Sequence, residues 1–120
     1  MYSPQVLDHF EHPRNAGELD NPGAVVEVTN PICGDILKLA ARVENGRIHA
    51  VRFKCMGCVT AVACGSLLTE WMENKPLAAL ESITYQQISQ AFGGLPPATL
   101  HGAQLAVDAL QVLLARLRAE

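Results

Sequence analysis

Arg52-Phe53-Lys54-Cys55-Met56-Gly57-Cys58-Val59-Thr60-Ala61-Val62-Ala63-Cys64-Gly65-Ser66 holds three of the four cysteines of this chain. An extended run from Ile48 to Cys55 enters the stretch, Gly57 turns it, and a helix rich in small residues leaves it. That order puts Cys58 at the start of a helix. Free backbone amides there favour a thiolate, the form that binds metal or attacks sulfur. The fourth cysteine lies upstream in Pro31-Ile32-Cys33-Gly34-Asp35, and a histidine waits downstream in Leu95-Pro96-Pro97-Ala98-Thr99-Leu100-His101.

Working outward, Arg47 to Cys55 is a strand with Val51 and Phe53 on one face and Arg52 and Lys54 on the other. Asn45-Gly46 before it is a two-residue hairpin turn. Asp35 to Glu44 is the preceding strand, with Leu37, Leu39, Ala41 and Val43 opposite Lys38 and Arg42. Ala24 to Asn30 is a third strand, broken at Asn30-Pro31. Short turns between these strands give an antiparallel sheet. One face has to be covered, and helices are the only material left for it. The helices expected are one from Ser3-Pro4 that ends before Pro13, Val59 to Asn74, Pro76 to Glu81, Thr84 to Phe92, and Leu100 to Glu120. Ala103, Ala106, Val107, Leu110, Leu113, Leu114 and Leu117 form the apolar stripe of the last helix. His12 to Gly23 and Gly93 to Pro97 are irregular. The fold class is therefore α+β: a three-stranded antiparallel sheet covered on one face by about four to five helices, in one domain over residues 1–120.

At 120 residues with 49% apolar side chains, such a domain builds a core without staples. The net charge of −3 argues against a nucleic-acid binder. No run of about twenty apolar residues spans a membrane. Met1-Tyr2-Ser3-Pro4-Gln5 has neither the basic start nor the apolar run of a signal peptide, so a cytoplasmic setting with reduced cysteines is expected.

Cys33, Asp35, Cys58 and His101 offer sulfur, oxygen, sulfur and nitrogen. Such a set satisfies tetrahedral zinc, and thiolates also suit iron–sulfur clusters. The bland alternatives are a turn aspartate, half-buried cysteines acting as small hydrophobes, and a surface histidine. Cys55 makes a C-x-x-C pair with Cys58 but shares its strand face with Val51 and Phe53, which points it toward the core. Cys64 lies six residues past Cys58, about 600° around a helix, so it reads as core filling.

Several stretches together resemble the U-type iron–sulfur cluster scaffold family, of which IscU, SufU and the N-terminal domain of NifU are members. They are Tyr2-Ser3, Val6, Asp8-His9-Phe10, His12-Pro13-Arg14-Asn15 with Gly17, Cys33-Gly34-Asp35, Arg52-Phe53-Lys54 with Gly57-Cys58, Leu68-Thr69-Glu70-Trp71, and Leu95-Pro96-Pro97 with His101. The resemblance spans almost the whole chain and implies a scaffold that is not an enzyme. On it a cysteine desulfurase delivers sulfur, iron joins, and a transient [2Fe-2S] cluster passes to recipient apo-proteins. It implies Cys33, Asp35, Cys58 and His101 as the ligands, with Zn2+ or Fe2+ held in the same site by a monomer or a dimer. Asp35 would keep the cluster labile, because carboxylate is a harder, weaker partner for cluster iron than thiolate. Two departures stand out. The family's third cysteine directly follows the histidine, where this chain has Gly102. The segment read by an Hsp70/J-protein chaperone pair keeps Leu95-Pro96-Pro97 but continues with Ala98-Thr99 in place of valine and lysine. A zinc-binding sulfur acceptor or regulator of a desulfurase, without a stable cluster, is the alternative. A thiol redox enzyme using Cys55 and Cys58 is a third reading.

Overall fold

The computed structural model describes residues 2–119, so Met1 and Glu120, the expected end of the last helix, lie outside it. The elements run α1 Pro4–Glu11, β1 Ala24–Thr29, β2 Ile36–Glu44, β3 Arg47–Met56, α2 Val59–Met72, α3 Leu77–Leu80, α4 Tyr85–Ala91 and α5 Leu100–Arg118. The strands form one antiparallel sheet in the order β1-β2-β3. Asn45 and Gly46 both take left-handed backbone, φ 54° and 73°, as the expected hairpin turn requires.

The inner face carries Val26, Leu37, Leu39, Ala41, Val51 and Phe53, all buried. Strict alternation from Val51 would put Ile48 on the outer face. A register shift pairs Arg42 with Ala50 but Val43 with Ile48, leaving His49 without a partner, and this bulge turns Ile48 inward to full burial. α2 lies across β3, and α5 spans β1, β2 and α2. α4 also packs on α5, and Leu105 and Ala109 are buried beyond the expected stripe. Residues 15–17 cover the edge of β3: Phe53 N donates to Asn15 O and Gly17 N to Phe53 O, both at 2.9 Å. Among the described residues no helix is long and apolar enough to cross a membrane.

α1 begins as expected, with the Ser3 hydroxyl accepting from Val6 N at 3.2 Å. It docks on α2 through buried His9, whose Nδ1 lies 2.7 Å from Ser66 Oγ. The same hydroxyl accepts from Arg14 N at 2.9 Å, so one oxygen ties His9 and the start of the following loop to α2. Burial, then the Arg14 charge, hold the His9 pKa below its usual 6.5, against the opposing pull of Glu70 and Asp8. An unfolded chain therefore binds a proton that the folded one refuses. Stability is unaffected by His9 above about pH 6.5 and falls as pH drops from there toward the folded-state pKa. Thermal denaturation at about pH 7.5 and about 5.5 should show a larger loss of Tm for the natural chain than for His9→Gln. Equal losses would mean that His9 is not held neutral.

Candidate metal centre

The site forms at the tip of the sheet, where the β1–β2 turn, the β3–α2 junction and the first turn of α5 meet. Asn30 builds the turn. Its buried side-chain oxygen accepts from Ile32 N at 2.9 Å and Cys33 N at 3.2 Å, and its backbone N donates to Asp35 O at 2.8 Å. Gly34 has φ 78°, a backbone that favours glycine. Cys33 is thereby exposed at the turn while Asp35 points inward.

Cys33 Sγ, an Asp35 carboxylate oxygen and a His101 ring nitrogen all lie within 4.8 Å of one another. His101 Nε2 is 4.0 Å from Asp35 Oδ2. Cys58 sits beside this group rather than in it. Its backbone N is 3.4 Å from Asp35 Oδ2, and its Sγ turns toward α2, accepting from Ala61 N at 3.4 Å as the N-cap. Burial is the main cause that pushes the Cys58 thiol up, and the Asp35 carboxylate adds to it; the amides of Ala61 and Thr60 pull down but do not win. The expected thiolate at the helix start is thus corrected: the amides are in place, but burial and a neighbouring anion outweigh them until a cation enters. Two soft sulfurs, one carboxylate and one imidazole are donors that both zinc and cluster iron accept.

Cys64 is fully buried, as expected of core filling, and its thiol is raised by burial. Cys55 is half-buried beneath the site, and burial with the nearby Asp35, Cys58 and Cys33 charges pushes its thiol up to about 12. Gly102 is buried against α2: a Cβ there would lie 3.1 Å from both Ala61 Cα and Ala61 N. A side chain at that position needs α5 and α2 to give by a few tenths of an ångström, so the place where the resemblance expects a third cysteine is closely packed here. Sequence reasoning missed two residues, Asn30 and Gly57. Asn30 carries a signal, an Asn-Pro break before Cys33; the part Gly57 plays depends on a contact with Asp35 that only the fold creates. Around the site Ile32 is 90% and Met56 73% exposed, more than any other large apolar side chain among the described residues, and they form an apolar rim.

Residues 1–119 match the NifU-like N-terminal domain. The chain is 41% identical over 115 residues to the iron-sulfur cluster assembly scaffold protein IscU of Aquifex aeolicus, covering 94% of this chain and 73% of that one. It is 41% identical over 118 residues to the Escherichia coli protein of the same name, covering 95% and 91%. The fold is that of a NifU-like protein (N-terminal) from Brucella abortus, with TM-score 0.81 at 15% identity over 98% of this chain and 94% of that one.

Proposed function

Since the chain belongs to the NifU-like N-terminal domain family, we propose that it is an iron–sulfur cluster assembly scaffold, a carrier rather than a catalyst. The observation that carries the reading is the convergence of Cys33, Asp35 and His101 within 4.8 Å, with Cys58 at the same carboxylate. In this reading iron and sulfide are the cargo. Cys33 and Cys58 hold iron through sulfur, His101 through nitrogen, and Asp35 supplies the weak fourth contact that lets a [2Fe-2S] cluster leave. Closing Cys58 onto the group takes a change at its own side chain, from the Ala61 amide to the metal.

The partners follow from the same site. A cysteine desulfurase supplies sulfur, and recipient apo-proteins accept the cluster; Ile32 and Met56 give both an apolar rim to dock on. Leu95 is anchored, its N donating to Ser89 Oγ at 2.8 Å, while Pro96 and Pro97 are exposed, as a chaperone-read segment would need. The setting is cytoplasmic. One observation favours a second reading, a zinc-binding sulfur acceptor: three donors of different kinds are already close enough for a single ion.

Asp35→Ala separates the two. In the scaffold reading the variant holds its reconstituted cluster longer and transfers it to an apo-ferredoxin more slowly, by about tenfold. A transfer rate equal to that of the natural chain would mean that Asp35 does not control cluster release. A variant that only loses zinc, in a chain that never colours, favours the second reading.

A further inference from the structure

The C-x-x-C pair of Cys55 and Cys58 is the one motif that the scaffold reading leaves unused. The sheet register explains where it sits. Asp35, Leu37 and Leu39 alternate onto the inner face; Leu39 is paired with Phe53 and Leu37 with Cys55. The chain then bends at Gly57, passing directly over Asp35, and delivers Cys58 to the same carboxylate. Cys55 is therefore the floor of the site, about 7 Å along the sheet from the Asp35 layer. It borders a side cavity of about 520 Å³ lined by Pro13, Ala16, Phe53, Met56 and Val62. Gly102 supplies no thiol at the position after His101, and it packs tightly on Ala61.

We propose that Cys55 resolves a persulfide on Cys58, releasing sulfide inside the site; this rests on the scaffold reading only in that sulfur reaches Cys58. The Cys55 sulfur attacks the inner sulfur of the Cys58 persulfide. A Cys55–Cys58 bond forms, and the bond to the outer sulfur breaks. That sulfur takes the electron pair and is reduced to sulfide, leaving as hydrogen sulfide with the proton of the Cys55 thiol, while the Cys55 sulfur is oxidised to the disulfide level and the Cys58 sulfur keeps its oxidation state. A dithiol reductant then restores both thiols, reaching them through the side cavity. Burial holds the Cys55 thiol protonated at rest, so its attack requires that proton to leave as the persulfide comes beside it.

The test uses the metal-free chain, inorganic polysulfide as the sulfur donor, and no added thiol. After desalting, intact mass and released sulfide are followed. The natural chain should lose two hydrogens and release one sulfide per chain. Cys55→Ser should keep an extra sulfur on Cys58 and release sulfide at least about tenfold more slowly. Cys55→Ala should match it, Cys64→Ser should behave as the natural chain, and Cys58→Ser should gain no sulfur at Cys55. Equal release by the natural chain and Cys55→Ser, or a persulfide that peptide mapping finds persisting on Cys58 of the natural chain, overturns the proposal. Failure of the scaffold reading shows elsewhere: Cys55→Ser supplied with ferric iron and inorganic sulfide still builds a cluster if the scaffold stands, and stays colourless if it does not.

Discussion

Gly65→Val should lower stability by about 2 kcal/mol or more, bringing Tm down by about 8 °C or more. Gly65 lies in the middle of α2, where glycine is a poor helix former. Its presence is explained by what faces it. A Cβ there would meet Phe53 Cδ2 at 2.9 Å, Phe53 Cε2 at 3.0 Å and Leu37 Cδ1 at 3.4 Å. Phe53 and Leu37 are buried and hemmed in by the sheet, so neither ring nor methyl has a way out. Alanine gains about 1 kcal/mol of helix propensity, which offsets part of the clash. Valine adds two more carbons and gains less, so overpacking dominates. Thermal denaturation of Gly65→Val decides it, and an unchanged Tm would mean that α2 does not rest on Phe53.

Gly57→Ala should act the other way, leaving the fold within about 1 kcal/mol and weakening zinc binding by about 10- to 100-fold. Gly57 has no left-handed backbone to lose. Its added Cβ would fall 2.6 Å from Asp35 Cγ and 2.8 Å from Asp35 Oδ2. The carboxylate can rotate, but Asp35 Cβ, 2.9 Å from the added carbon, moves only with the backbone of its turn, and both shifts take Asp35 away from the Cys58 amide and His101. Competition with a chromophoric zinc chelator measures the loss. The same displacement should lengthen cluster lifetime as Asp35→Ala does. Zinc affinity equal to that of the natural chain would show that Asp35 is not a ligand.

These two glycines mark what could be read from the chain and what could not. The order of elements was legible because its signals are local: Ser3-Pro4 at a helix start, Asn45-Gly46 between alternating strands, and an apolar stripe from Ala103 to Leu117. The bulge at His49 was not, since one unpaired residue leaves no mark in composition, and it decides that Ile48 is core. Burial of Leu105 and Ala109 was missed because a stripe on one helix does not reveal how many elements pack on that helix. The proposed ligands were legible as residue types, but their meeting rests on contacts across 66 residues, from Asp35 to His101. Family resemblance supplied that pairing. The direction of the Cys58 side chain, and the balance of burial against helix amides on its thiol, came only from the fold.

The most direct measurement is visible absorption with circular dichroism during anaerobic reconstitution with ferrous iron, cysteine and a cysteine desulfurase. The natural chain should develop sulfur-to-iron charge-transfer bands, and these should be missing in both Cys33→Ala and Cys58→Ser. A natural chain that stays colourless, or bands of equal strength in all three proteins, would contradict a cluster held by Cys33 and Cys58.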